Sequence, residues 1–174
     1  VVTAGIDVAE VQMIQKRAPS IDILGVNTYG DLPSLPRKID LFGRKGPYIV
    51  TEWGPNGHWE VAKTEWGSPI EQSSYEKASV YEERCEEFIY GDKDQCIGSY
   101  VFLWGQKQET TATWYGMFLE DGTLTESVDV MSKLWRGVWP DNRCPQIRDV
   151  KIDGKGKRES IRVLVGKKYE LEIK

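Results

Sequence analysis

Apolar and polar positions alternate along the chain with two different periods, and the switches between them mark the elements. An opening apolar stretch at residues 1–4 reads as a strand. Asp7 follows, placed to cap a helix with Glu10 three residues on, and Val8, Val11, Ile14 and Ala18 then recur at helical spacing up to Pro19. Residues 21–26 are almost continuously apolar, as a parallel strand buried on both faces requires. The helical part of this second unit is interrupted by Pro33 and Pro36 and is expected to be short or irregular.

Residues 47–51 predict a third strand. A long loop rich in Gly and Trp leads from it to a helix that opens at Ser73-x-x-Glu76, buries Ala78, Tyr81, Cys85 and Phe88, and ends by Gly91. Residues 97–104 predict a fourth strand. After another long loop, Thr125 caps a helix whose Val128, Met131, Leu134 and Trp135 face inward before Gly137. Four β-α units in series argue for an α/β fold with a parallel sheet and helices outside it. Beyond Pro140 the pattern changes to short alternating stretches at 150–152, 161–165 and 169–173, with turns at Asp153-Gly154 and Gly166-Lys167. Residues 1–140 therefore read as one unit, and residues 141–174 as a linker and the start of a truncated β-sandwich (Ig-like) domain.

Composition narrows the function classes. With 174 residues, 40% apolar and 11% aromatic, the chain has the make-up of a folded core rather than of disorder. The net charge of −4 is dispersed, without a basic stretch interleaved with aromatics, so nucleic acid is not the expected partner. No run approaches the roughly 20 apolar residues of a membrane-spanning helix. Cys85, Cys96 and Cys144 are too few and too irregularly spaced for a disulfide framework or a zinc site, and neither a metal nor a cofactor is expected. The chain starts without Met, inside a strand, which reads as a fragment and leaves export undetermined.

In parallel α/β sheets and barrels the reacting groups gather at the carboxyl ends of the strands. Those ends carry Asn27, Thr28 and Tyr29, then Glu52, Trp53 and Gly54, then Trp104. A carboxylate, a phenol, an amide and indoles on one rim are the groups that stack on sugar faces and bond to hydroxyls. Trp53, Trp59, Trp66 and Trp114 are either sugar platforms or pins for long loops. Glu109 either bonds a sugar hydroxyl or pairs with Lys107, and His58, the only histidine, reads as a loop hydrogen-bonder.

The segments Ile21-Asp22-Ile23-Leu24-Gly25-Val26-Asn27-Thr28-Tyr29-Gly30, Pro47-Tyr48-Ile49-Val50-Thr51-Glu52-Trp53-Gly54 and Ile97-Gly98-Ser99-Tyr100-Val101-Phe102-Leu103-Trp104 resemble the sixth, seventh and eighth strands of the (β/α)8 barrel of glycoside hydrolase family 2 and its clan A relatives. The resemblance implies the last four β-α units of a TIM barrel, with the N-terminal half of the same barrel missing. It implies that Glu52 is the nucleophile of a retaining β-glycoside hydrolase, that Tyr29 bonds to it, and that Trp104 lies beneath the sugar. Asn27, Trp53, Trp59 and Glu109 join as substrate-binding residues. The implied partner is a β-linked oligo- or polysaccharide, and the implied location is secreted, periplasmic or on the cell surface. The clan's acid/base glutamate has no counterpart here, and Gly105-Gln106-Lys107 departs from the family 2 ending, so membership of the clan is better supported than membership of family 2. A β-glucan transglycosylase and a non-catalytic carbohydrate-binding barrel are alternatives. A doubly wound nucleotide-binding domain is disfavoured, because no Gly-rich phosphate turn follows any strand.

Overall fold

The structure, a computed structural model, describes residues 5–174. The expected strand at 1–4 lies outside them. Within them the strands β1 (Ile6–Asp7), β2 (Leu24–Asn27), β3 (Tyr48–Trp53) and β4 (Cys96–Val101) form a parallel sheet in the order β1-β2-β3-β4. The helices α1 (Val11–Arg17), α2 (Leu35–Leu41), α3 (Ser74–Arg84) and α4 (Glu126–Arg136) alternate with the strands or follow them.

Local chemistry explains the helix starts. The Asp7 side chain accepts the Ala9 N–H at 2.9 Å while Glu10 accepts the Asp7 N–H, a reciprocal cap that opens a 3-10 turn leading into α1. Ser73 and Glu76 form the same device at α3. Pro36 falls in the first turn of α2, where its missing N–H costs nothing, so the proline-rich segment yields one short helix of seven residues. Thr125 precedes α4 as expected, but its hydroxyl donates to the Met117 carbonyl at 2.9 Å instead of capping the helix. Gly137 ends α4 with a φ of 75°, the left-handed conformation glycine adopts without a Cβ penalty.

One core cluster joins Val11 of α1, Leu35 and Ile39 of α2, Ala78 and Tyr81 of α3 and Val128, Val130 and Met131 of α4 to Leu24, Val26, Tyr48, Val50 and Trp53 of the sheet. All four helices thus share one apolar core with the sheet. Along β3 the complementary positions Ile49, Thr51 and Glu52 stay only partly buried. The buried stripe of α3 also shifts. A single π-helical turn (Cys85–Ile89) continues the helix, and its extra residue turns Ile89 into the core where Phe88 was expected to be fully buried.

Three further differences have physical causes. Trp135 lies on the face of Val128 and Met131 but in the last turn of α4, where it packs on the exposed Trp104 at 5.1 Å between centroids and stays 53% exposed. α4 also buries Glu126 and Asp129 toward the linker, where Asp129 accepts the Cys144 N–H at 2.7 Å and Glu126 accepts from Gln146 Nε2 at 2.7 Å. Residues 161–165 form no strand. Past the linker only β5 (Val150–Ile152) and β6 (Leu171–Ile173) pair, as an antiparallel ribbon, and with no third strand or facing sheet Val163, Leu164 and Val165 stay exposed. An Ig-like sandwich is therefore not formed among the described residues.

Candidate active site

The carboxyl end of β3 is where the strand's regularity breaks. Val26 pairs with Val50 but Asn27 pairs with Glu52, so Thr51 is an extra residue in β3. A bulge of this kind re-aims the side chains around it. Tyr48 and Val50 face the core, the bulge shifts the phase, and Trp53 becomes the next core residue, leaving Thr51 and Glu52 together on the more open side. The pairing then continues past β2, with the Thr28 N–H donating to the Glu52 carbonyl at 2.8 Å. That bond sets Tyr29 beside the Glu52 side chain.

The Glu52 carboxylate has a donor on each oxygen. Tyr29 donates its phenol to Oε1, and Asn27 Nδ2 stands 3.5 Å from Oε2. Thr51 donates its hydroxyl to Asn27 Oδ1 at 2.8 Å, which orients the amide so that its NH2 group points toward Glu52. Gly5 permits this arrangement, since a Cβ there would come within 2.0 Å of Asn27 Oδ1. Burial, reinforced by the bond to Glu52, holds the Tyr29 phenol far above its ordinary pKa, so it acts as a hydrogen-bond donor.

The Tyr29 ring is held by three aromatic neighbours, Trp59 at 5.7 Å, Phe102 at 6.2 Å and Tyr115 at 5.3 Å between centroids. Phe102 and Tyr115 also meet edge to face at 5.4 Å. Burial pushes the Tyr115 phenol up to about 12. A cavity of about 290 Å³ opens beside this group, lined by Asn27, Thr28, Tyr29, Trp59 and Glu60 among others. A larger cavity of about 540 Å³, bordered by Ser74, Lys77, Leu124 and Glu126, contains none of these groups.

The loop that follows Glu52 is clamped from outside. Arg84 of α3, only 7% exposed, donates to the Gly54 carbonyl at 2.5 Å and to Asn56 Oδ1. Trp114 Nε1 donates to the Asn56 carbonyl at 3.0 Å, and the Asn56 N–H donates to Gln72 at 3.2 Å. Glu60 accepts the N–H groups of Gly30 and Gly57, tying the loops after β2 and β3 together.

Of the residues expected at a sugar site, Glu52, Tyr29 and Asn27 come together, and Trp59 joins through Tyr29. Trp53 does not. It is 0% exposed and packs on Tyr81 at 5.5 Å between centroids, because the bulge turned it into the core. Trp104 does not join either. β4 ends at Val101, and Leu103 and Gly105 then pair with residues 115–118, which leaves the Trp104 ring 48% exposed against Phe118 and Trp135. Phe102 is the strand-end aromatic that faces Tyr29. Glu109 pairs with Lys107 at 2.6 Å and lies 3.7 Å from His58 Nε2. Phe102, Tyr115, Thr51 and Arg84 were not singled out by sequence. Phe102 carried a usable signal, two residues before Trp104 in the same apolar run, whereas Tyr115 and Arg84 reach the site only through long-range packing. No cluster of three or more His, Cys, Asp or Glu side chains suited to a metal occurs among the described residues.

No protein-family model and no curated relative matches the chain. The chain is similar in structure to a glycoside hydrolase family 128 (subgroup VI) exo-β-1,3-glucanase from Aureobasidium namibiae, with a TM-score of 0.50 and 14% identity over 76% of this chain and 51% of that one. It spans about half the length of that structure. Family 2 gains no support from these comparisons. What the likeness shows is a fold, mixed α/β around a parallel four-stranded sheet, in common with a glycoside hydrolase.

Proposed function

We propose that this chain carries the nucleophile side of a retaining β-glycoside hydrolase site, with Glu52 as the nucleophile. The observation that carries the reading is the Glu52 carboxylate at the carboxyl end of a parallel strand, with Tyr29 and Asn27 donating toward its two oxygens and an aromatic wall beside it. The consecutive strand order supports a partial (β/α)8 barrel over a doubly wound sheet, whose order would reverse about a switch point. A single core shared by all four helices supports the same choice.

In this reading a Glu52 oxygen attacks the anomeric carbon while the glycosidic C–O bond breaks. The leaving oxygen takes a proton from a carboxylic acid about 5 to 5.5 Å from Glu52, supplied from elsewhere in the complete barrel. Water then cleaves the glycosyl ester, returning Glu52 to its ionised form. The Tyr29 phenol donates to the carboxylate before attack and aims its oxygen. Tyr29 and Trp59, backed by Phe102 and the buried Tyr115, provide the surface against which a sugar ring packs. The exo-β-1,3-glucanase that the chain is similar to in structure makes a β-1,3-linked glucan the first substrate to try.

The test is covalent labelling of the complete polypeptide with a 2-fluoroglycoside bearing a good leaving group, followed by peptide mapping. The ester is expected on Glu52. Glu52→Gln, which keeps size and hydrogen bonding, is expected to lower turnover by about three orders of magnitude or more. A label on another carboxylate, or inversion at the anomeric carbon, refutes the assignment.

A further inference from the structure

The long loop after β3 and the segment between β5 and β6 meet at a second cleft. Lys63 bridges Pro69, the Thr64 N–H donates to the Ser68 carbonyl at 2.8 Å, and Gly67 closes the turn with a φ of 86°. This hairpin presents Trp66 at its tip, 66% exposed. A cleft of about 490 Å³ opens beside it, lined by Lys63, Trp66, Lys155, Lys157, Arg158 and Ser160.

Lys157 pairs with Glu76, the capping acid of α3, and so ties the ribbon to the helix. Lys63, Lys155 and Arg158 make no ion pair among the described residues. Two acids, Glu65 and Glu159, share the lining, and Glu159 already accepts the Gly156 N–H at 2.9 Å. Three unpaired cations beside an exposed indole, in a chain of net charge −4, form a local reversal of sign.

The cleft shares wall residues with a neighbouring one that reaches the candidate active site's border. Lys157 and Arg158 also line a cleft of about 260 Å³ with Asn56, Glu60 and Gln72, and Glu60 borders the cavity that holds Asn27 and Tyr29. An indole face stacks on the C–H face of a sugar ring, and a guanidinium flanked by ammonium groups pairs with a carboxylate. We propose that the cleft at Trp66 is a distal subsite for a β-glycan that bears carboxylate groups, with the chain continuing along Arg158 and Glu60 toward Glu52. The continuation toward Glu52 rests on the glycosidase reading. Binding at Trp66 does not.

Affinity electrophoresis of this chain in gels containing laminarin or carboxymethylated laminarin tests the subsite without requiring turnover. The carboxymethylated polymer is expected to retard the chain with an affinity about tenfold higher, the effect of a few exposed ion pairs acting together, and added salt should erase the difference. Trp66→Ala should weaken retention on both polymers, and Arg158→Glu should remove the preference. Trp135→Ala, an exposed tryptophan elsewhere, should change neither. Equal retardation of the unmutated chain by the two polymers, or Trp66→Ala and Arg158→Glu behaving like it, overturns the proposal. Because covalent labelling of Glu52 is read separately, a failed subsite and a failed glycosidase assignment give different results.

Discussion

Replacing Arg84 with Met should destabilise the chain severely, and the reason lies in what the guanidinium holds. Arg84 is nearly buried and satisfies the Gly54 carbonyl and the Asn56 side chain, the two groups that fix the loop leaving Glu52. A hydrogen bond from a charged donor contributes about 1.5–3 kcal/mol, and a buried carbonyl left without a partner adds to the loss. Removing the guanidinium also relieves the desolvation of a buried charge, which offsets part of this. The net expectation is a loss of about 3 kcal/mol. With a urea slope of about 2 kcal/mol/M for a chain of this size, the unfolding midpoint should fall by about 1.5 M, read from tryptophan fluorescence. Arg84→Lys retains the charge but reaches with a single ammonium group instead of a fork, and should recover about half of the loss. A midpoint within about 0.25 M of the unmutated chain for Arg84→Met would show that the clamp contributes nothing to stability. Equal loss in the Lys and Met variants would show that the two-pronged geometry is irrelevant.

Two further outcomes follow from the geometry. Phe102→Ala, which removes a ring packed on both Tyr29 and Tyr115, should cost about 2–3 kcal/mol and, on the proposed glycosidase reading, lower turnover of the complete polypeptide, whereas Trp104→Ala should cost under about 1 kcal/mol and leave that turnover intact; the reverse order restores Trp104 as the sugar floor. Burial raises the pKa of Glu71, but bonds from Lys77, Thr111 and Thr113 outweigh it and hold the carboxyl below its ordinary value. A folded pKa below the unfolded one means this stabilisation is complete above about pH 4.3 and is lost as pH falls through the folded value. Thermal midpoints measured from pH 6 to pH 3 should therefore fall, and Glu71→Gln should lower the midpoint at pH 6 while flattening the decline; an unchanged slope refutes the assignment.

Residues that act on near neighbours in the chain were readable in advance. Asp7 with Glu10 and Ser73 with Glu76 cap their helices as their spacing predicts, Gly137 ends α4, and the apolar runs around Val26, Val50 and Ser99 are the strands of a parallel sheet. Each depends on a period or a contact within about four residues, and the chain carries that information directly. Glu52 and Tyr29 were readable as sharing one rim because the carboxyl ends of adjacent parallel strands meet at one edge, and the bond between them was implied by the glycoside hydrolase resemblance alone.

Side-chain direction at those same strand ends was not readable. The extra residue at Thr51 exists only in the pairing of β3 with β2, and it is what sends Trp53 into the core and leaves Glu52 beside Tyr29. Trp104 turned outward because residues 103 and 105 found backbone partners in residues 115–118, which placed Phe102 against Tyr29 in its stead. Residues 161–165 alternate as a strand should, yet without a partner strand their backbone has no ladder to join, and they stay exposed. Local propensity set which segments became helix or strand, whereas hydrogen-bond register between distant segments set which way each side chain at the site points, because a one-residue shift in a strand of period two moves every side chain beyond it to the opposite face.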